Sequence, residues 1–343
     1  IYTIVDGLSW TEAEANSNKL GGHLVTINDQ EENDFLAIDP FNSAKFESYI
    51  GLYDFDASTT NNFQWVSGEV VNYLNWAGQQ PDDPFTSDAV SIRLSDINWI
   101  GATVQRGSWR DLPDKNSSQT ENVDTGISET KFIRRGDSAY VIVEGPTWEE
   151  AEANANKLGG HLVTINDSEE NQWLVDQYYD SAKLSESINK NLWIGLTDKN
   201  TEGTWEWISG ESSDYLNWAS NEPNGNHPEG KDDYAAIGYI DYQSWRDLGD
   251  WVDSHNNAPD GIKFGIAEIK LAPNNAPTGT LSITGDVKVG ETITIDISNI
   301  KDEDNFEGYT PTYNYSWEVS DDNGGTWTAL SSADATDNNS SYA

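Results

Sequence analysis

The chain has 343 residues, and its 59 acidic against 19 basic side chains give a formal net charge of −40. Such a surface argues against nucleic acid or an anionic membrane as a partner, because both require a basic face. There is no Cys, which excludes disulfides and thiolate metal sites. The 15 Trp and 15 Tyr supply apolar area for packed cores, and no apolar run is long enough to insert across a membrane.

The first elements along the chain are a strand, a helix, a short strand and a second helix. The first strand covers Tyr2–Val5, and Ser9 with Glu12 has the spacing of a capping box at the start of the first helix. Gly21 ends that helix, and Asp29 heads the next one. Short strands rich in Trp and Ile follow, separated by Gly, Asn, Asp and Pro. Helices first and strands later predict an α+β domain.

The same order of elements then occurs a second time. Residues 147–171 align with residues 9–33 without gaps and match at 21 of 25 positions. Later motifs recur in the same order, among them Ser108–Leu112, which matches Ser244–Leu248 letter for letter. A period near 138 residues is too long for a solenoid, so the sequence predicts two copies of one whole domain. We assign the first repeat to residues 1–135 and the second repeat to residues 136–272.

The composition changes after the second repeat. Pro273, Asn274, Asn275 and Pro277 form a linker. Alternating segments rich in Thr, Ile and Tyr then predict an all-β sandwich module over residues 273–343. Only about 70 residues are available for it, so the module is expected to be partial.

The repeated unit resembles the C-type lectin-like domain. In the second repeat the resemblance is carried by an ordered series of motifs: Trp148, Gly159–Leu162, Trp193–Leu196, Trp207, Asn217-Trp218, Glu222–Asn224 and Trp245–Asp247. The first repeat shows nearly all of them again. Most family members have two disulfides, whereas the Cys positions of the first disulfide hold Ser17 and Ser128 here, and Ala155 and Ala267 in the second repeat. Small residues at these positions imply a packed core in place of the crosslink.

The resemblance implies a calcium site in the long loop of the second repeat, where the ion binds both protein and sugar. Glu222 and Asn224 flank Pro223, which is usually cis in the family. Each side chain would ligate calcium and also hydrogen-bond a sugar hydroxyl, the carboxylate as acceptor and the amide as donor. The implied metal ligands are Glu222, Asn224, Asp232 and Asp247, with Glu229 as an alternative to Asp232 and with Asp233 serving a neighbouring calcium.

The strand motif Trp245-Arg246-Asp247 departs from the family, whose motif is Trp-Asn-Asp with two ligating side chains. An Arg side chain cannot ligate a cation. Arg246 is therefore expected either to pair with a carboxylate or to contact the ligand. The implied ligand-binding residues are Glu222, Asn224, Asp247 and Arg246.

The first repeat carries the reversed order Gln80-Pro81-Asp82. In the family, Glu-Pro-Asn goes with mannose- or fucose-type sugars and the reversed order with galactose-type sugars. Arg110 repeats the Arg departure in this copy. The implied ligands form a weaker second site at Gln80, Asp82, Asp88 and Asp111.

Taken with the resemblance, these features predict calcium-dependent carbohydrate binding by tandem lectin modules of a secreted or surface adhesin, mainly through the second repeat. The partners would be extracellular glycans and the cofactor Ca²⁺. Residues 273–343 resemble the Ig-like repeats of bacterial surface adhesins through Asn275–Gly279, which favours an extracellular or bacterial cell-surface location. The alternative is a calcium-stabilised module of the same fold that binds a protein or a surface. The sequence offers no nucleophile arrangement, so the chain is predicted not to be an enzyme. It leaves open which sugar binds and the oligomeric state.

Overall fold

The structure is a computed structural model that divides into two compact units, Ile1–Leu271 and Ala272–Ala343. It describes residues 1–38, 40–41, 45–56, 62–82, 87–99, 102–114, 123–178, 191–225, 232–238, 247–257, 261–272, 276–286, 291–302, 313–330 and 340–342. None of the helices within these ranges is long and apolar enough to cross a membrane.

The first repeat forms an α+β domain with two helices followed by strands, as the sequence predicts. Its elements are β1 (Tyr2–Asp6), α1 (Trp10–Lys19), β2 (His23–Leu24), α2 (Gln30–Ala37), β3 (Glu47–Asp54), β4 (Phe63–Trp65), β5 (Ala89–Arg93), β6 (Ile97–Trp99), β7 (Ala102–Val104), β8 (Trp109–Leu112) and β9 (Thr125–Glu129). The main sheet has the order β1-β9-β3-β5-β8. Both helices start at a side-chain cap, because Ser9 Oγ accepts from Glu12 N at 3.1 Å and Asp29 Oδ1 accepts from Glu32 N at 2.9 Å.

The second repeat has the same main sheet with one added edge strand, and the β6-β7 pair of the first repeat has no counterpart among its described residues. Its elements are β10 (Ile133–Arg135), β11 (Ser138–Glu144), α3 (Trp148–Lys157), β12 (His161–Leu162), α4 (Ser168–Tyr178), β13 (Leu192–Thr197), β14 (Glu206–Trp207), β15 (Tyr234–Ile237), β16 (Trp251–Ser254) and β17 (Phe264–Lys270). The sheet order is β10-β11-β17-β13-β15-β16. Strands β11, β17, β13, β15 and β16 therefore repeat β1, β9, β3, β5 and β8.

Strand β10 lies at the junction of the repeats, where the sequence analysis ends the first one. It pairs with β11 as an edge strand of the second sheet. Arg135 is held there by Glu170, with Nη1 3.4 Å from Oε1, and its guanidinium lies 6.0 Å from the ring centroid of Trp173. These contacts tie the last residues of the first repeat to the body of the second one.

Buried aromatic side chains dominate both cores. Trp10 Nε1 donates to the Ile50 carbonyl at 2.7 Å, and Trp148 Nε1 donates to the Ile194 carbonyl at 2.8 Å, so each indole is buried with its polar atom satisfied. The four residues at the expected Cys positions are fully buried: Ser17, Ser128, Ala155 and Ala267. Packing of small residues thus replaces the crosslink at these positions.

Unit Ala272–Ala343 contains only strands among its described elements. They are β18 (Ser282–Thr284), β19 (Ile293–Asp296), β20 (Glu318–Val319), β21 (Thr328–Ala329) and β22 (Ser341–Tyr342). Strands β18, β19 and β22 form one antiparallel sheet, and β20 pairs with β21. The all-β content agrees with the expected class, whereas an Ig-like arrangement stays a prediction.

Candidate functional site

The proline-centred segments of the two repeats have the same backbone form. The peptide bonds Gln80-Pro81 and Glu222-Pro223 are both cis. In the second repeat the two flanking side chains meet, because Asn224 Nδ2 donates to Glu222 Oε2. The carboxylate and the amide that the sequence pairs across the proline therefore lie side by side.

A strand carboxylate joins each segment to the sheet. Asp253 of β16 accepts from Asn224 N at 3.0 Å and from Gly225 N at 2.8 Å, both through Oδ2. In the first repeat Asp111 of β8 accepts from Asp82 N at 3.2 Å through Oδ1. Asp111 and Asp253 thus occupy the same place in the two repeats.

This equivalence corrects the strand motif expected in the second repeat. Trp251 takes the place of Trp109, since the two indoles donate to Asn171 and Asn33 respectively, each at 2.8 Å. Trp251 also bridges to Trp218 as Trp109 bridges to Trp76. Strand β16, which begins at Trp251, therefore takes the strand position that the sequence analysis gave to the motif ending at Asp247, whereas Trp245 and Arg246 lie outside the described residues.

Asp247 lies in the turn before the strand. Its carbonyl accepts from Asp250 N at 3.1 Å, as Gln105 accepts from Ser108 N at 3.3 Å in the first repeat. The identical sequences align Trp245 with Trp109. The hydrogen bond to the Asn of the second helix instead identifies Trp251 as the counterpart of Trp109. A better signal is the Gly two residues before the strand Trp, which adopts a φ of 82° at Gly107 and 90° at Gly249.

The other predicted residues of the second repeat are divided between described and undescribed parts of the chain. Arg246 and Glu229 lie outside the described residues. The position that Arg110 holds in the first repeat belongs to Val252 in the second, as the two strand registers show. Asp232 and Asp233 are half-buried just before β15.

Asp198 is a candidate site residue that the sequence analysis did not name. It lies at the end of β13 with only 3% of its surface exposed, and its backbone N donates to the Asp233 carbonyl at 3.1 Å. Its Oδ2 accepts from Gly203 N at 2.8 Å, while Oδ1 has no hydrogen-bond partner in the described part of the chain. Burial first, and then the charges of Asp233 and Asp253, raise the pKa of Asp198.

The pocket of the second repeat therefore concentrates negative charge that its own hydrogen bonds do not fully compensate. Asp253 Oδ1 is a second buried oxygen without a partner among the described residues. Within the same ranges, no three Asp, Glu or His side chains form a ready-made metal cluster. Buried carboxylate oxygens of this kind fit a hard cation such as calcium, because a cation compensates the cost of burying the charge.

The first repeat satisfies the matching groups internally. Asp54, the counterpart of Asp198, accepts from Asp56 N at 3.0 Å and from Asn62 N at 3.1 Å, one bond to each oxygen. Gln80 Oε1 accepts from Asp111 N at 3.0 Å. The Asp88 backbone carbonyl accepts from Asp54 N at 2.8 Å. The structure thus brings Gln80, Asp82 and Asp111 together by hydrogen bonds among themselves.

The sequence family agrees with this geometry. The model of the family described as Lectin C-type domain matches residues 6–122 and 144–256, that is, both repeats. The chain belongs to the C-type lectin family. The prediction of tandem C-type lectin domains is therefore confirmed, and such domains are typically binding modules without catalysis.

Similar proteins include receptors with many more residues than this chain. The human C-type mannose receptor 2 is 26% identical over 270 residues, covering 73% of this lectin chain but only 16% of the receptor. A perlucin-like protein of Mytilus galloprovincialis is 34% identical over 107 residues, covering 31% of this chain and 64% of that protein. The carbohydrate-recognition domain of a human scavenger receptor C-type lectin is 30% identical, with a TM-score of 0.32, and covers 40% of this chain and 95% of that domain.

Proposed function

We propose that the second repeat binds carbohydrate in a calcium-dependent manner at a pocket formed by the Glu222–Asn224 segment and strand β16. The observation that carries the proposal is the contact of the Asp253 carboxylate with the backbone of Asn224, which leaves Asp253 Oδ1 buried and unpartnered in the described part of the chain. Glu222, Asn224 and Asp253 would hold the ion, together with Asp232 or, as an alternative, Glu229.

The chemistry of these groups suits a sugar diol. Calcium takes six to eight oxygen ligands, so it would leave coordination positions for two neighbouring hydroxyls. The Glu222 carboxylate can only accept a hydrogen bond, whereas the Asn224 amide can donate one. A pair of one acceptor and one donor selects hydroxyls in a particular arrangement, which we propose to be the mannose or fucose type.

Asp198 and Asp233 would hold a neighbouring calcium. The carboxylate of Asp198 is nearly fully buried, and its pKa is raised by that burial and by the two acidic neighbours. A divalent ion would offset both effects, because its positive charge favours the ionised carboxylate. Because Asp198 is bonded to the Asp233 backbone, the ion would also order the chain next to β15.

A second candidate function is the binding of a protein or another surface. Val252 supports this alternative, since it supplies no side-chain oxygen at the strand position before Asp253. Fewer side-chain ligands lower calcium affinity, and the loop then serves a different partner. The fold by itself does not decide between them.

The wider role we propose is that of an adhesin module at an extracellular or bacterial surface. The similarity to receptor proteins supports an extracellular position. Two lectin domains followed by an all-β unit suit a protein that presents binding sites away from an anchor. The all-β unit would be an Ig-like repeat.

A glycan array with and without EDTA tests this function. Binding is expected in calcium and absent in EDTA, and Glu222→Ala or Asn224→Ala should abolish it. Glu169→Ala is a matched control, because Glu169 is an exposed glutamate of helix α4 in the same repeat. Array binding that persists in EDTA, or in both pocket variants, would contradict the proposal. Retained binding to a purified protein partner in those variants would favour the alternative.

A further inference from the structure

We propose that calcium binding is confined to the second repeat, and that in the first repeat an internal ion network orders the corresponding strands without metal. The inference rests on the proposed function of the second repeat. It differs from the expectation of a weaker second site at Gln80, Asp82, Asp88 and Asp111.

The ion network lies where strands β3, β5 and β8 meet. Glu47 is 8% exposed and receives the Arg110 guanidinium, with Nε 2.8 Å and Nη2 2.6 Å from Oε2. Arg93 Nη1 lies 3.3 Å from the other oxygen, Oε1. Ser91 Oγ also donates to Oε2, at 3.3 Å. A charge-assisted pair of this kind, buried and multiply bonded, fixes the relative position of the three strands.

The second repeat has no equivalent of this network at the matching positions. The strand registers put Asn191 at the place of Glu47, Gly238 at the place of Arg93 and Val252 at the place of Arg110. Val252 is 5% exposed and packs in the core. The three strands of the second repeat are therefore joined without these charges.

The same network disfavours a cation in the first repeat. Arg110 immediately precedes Asp111, and two guanidinium groups face the single Glu47 carboxylate. The Arg110 side chain is directed to Glu47 and carries no oxygen, so the strand position before Asp111 offers a cation no side-chain ligand. Arg110 thus fills the ligand position of the family's Asn with a group that cannot coordinate a cation.

Hydrogen bonding in the two pockets points the same way. In the first repeat the Gln80 amide oxygen accepts from Asp111 N, and both oxygens of Asp54 accept from backbone N–H groups. In the second repeat one oxygen of Asp198 and one of Asp253 are buried without a partner in the described ranges. In the first repeat, backbone N–H groups therefore already compensate oxygens that a cation would compensate in the second repeat.

Calcium titration by calorimetry on the whole chain is the first test. Asp253→Asn and Asp198→Asn should weaken calcium binding at least tenfold. The matched variants Asp111→Asn and Asp54→Asn should leave affinity and stoichiometry unchanged. Loss of bound calcium in Asp111→Asn or Asp54→Asn, with the second-repeat variants unaffected, would overturn the inference while leaving calcium binding itself established.

Hydrogen–deuterium exchange on the unmodified chain makes the test independent of variant folding. Removal of calcium with EDTA should increase exchange in residues 234–237 and 251–254 several-fold and leave residues 89–93 and 109–112 unchanged. Glu47→Gln should increase exchange in residues 89–93 and 109–112 even in calcium. Equal loosening of both repeats in EDTA would overturn the inference. No response in either repeat, together with array binding that ignores EDTA, would remove the proposed function as well.

Discussion

The two lectin domains of this chain share a core and differ at the pocket. In both, a fully buried Trp of the last pocket strand donates to an Asn of the second helix, Trp109 to Asn33 and Trp251 to Asn171. One residue further along the strand, the first repeat has Arg110 bonded to Glu47, and the second has Val252 in the core. The two repeats thus share the Trp–Asn contact of the core and differ at the next strand position.

This difference shows how a lectin fold without disulfides can order its pocket in two ways. An ion network with two guanidinium groups stabilises the strands of the first repeat from within. In the second repeat the proposed cation would supply that stabilisation, since one oxygen of Asp198 and one of Asp253 have no partner among the described residues.

Replacement of the central Trp should have the largest effect and should be the same in both repeats. Trp109→Ala and Trp251→Ala each remove a fully buried indole and leave an Asn oxygen unpaired, so each should cost about 3–5 kcal/mol of unfolding free energy. Chemical denaturation monitored by fluorescence measures this. A cost below about 1 kcal/mol in one repeat would show that the two cores are not equivalent.

Disruption of the ion network should lower the free energy of unfolding slightly less, and only in the first repeat. Glu47→Gln removes the carboxylate from two partly buried guanidinium groups and should cost about 3 kcal/mol, since an unpaired buried charge is the main penalty. The double variant Glu47→Leu with Arg110→Met should recover part of that loss. If Glu47→Gln is neutral in a urea denaturation series, the network does not order the first repeat.

Two aspartates of the second repeat allow the strand assignment to be tested. Asp253→Asn should abolish most of the rise in Tm that calcium produces, a stabilisation of about 2.7 kcal/mol at a hundredfold excess over Kd. Asp247→Asn should preserve that rise, because Asp247 lies in the turn before the strand. Calorimetry in calcium and in EDTA measures both variants. The opposite order would restore Trp245–Asp247 as the motif that binds metal.

Replacement of Asp198 should change the free energy of unfolding least, and the change should have opposite signs in EDTA and in calcium. Its pKa is raised, mainly by burial, so ionisation costs stability above the folded pKa and the cost disappears as the pH falls below the ordinary Asp range. In EDTA at about pH 7, Asp198→Asn should therefore stabilise by about 1 kcal/mol, and less at about pH 4. In calcium it should destabilise, because the ion loses a charged ligand. Denaturation curves at both pH values decide this, and stabilisation in calcium would argue against an ion at Asp198.

Local patterns in the sequence were sufficient for the architecture. The capping spacing at Ser9 and Asp29, the repeat of residues 9–33 in residues 147–171, and the small residues at the Cys positions all match the structure. These features depend on near neighbours in the chain or on the composition of a core. The prediction of tandem α+β domains was therefore accurate without any contact information.

Only the tertiary structure decided which residues meet at the pocket. The letters Ser-Trp-Arg-Asp-Leu occur in both repeats, yet it is Trp251 that donates to Asn171 as Trp109 donates to Asn33, so Asp253 corresponds to Asp111. Asp198 and Glu47 belong to no sequence motif. Each interacts with a residue distant in sequence, Asp198 with Asp253 and Glu47 with Arg110. A sequence specifies its helices and repeats through short-range order. The partner of a buried charge is selected by the packing of whole strands, which short motifs do not encode.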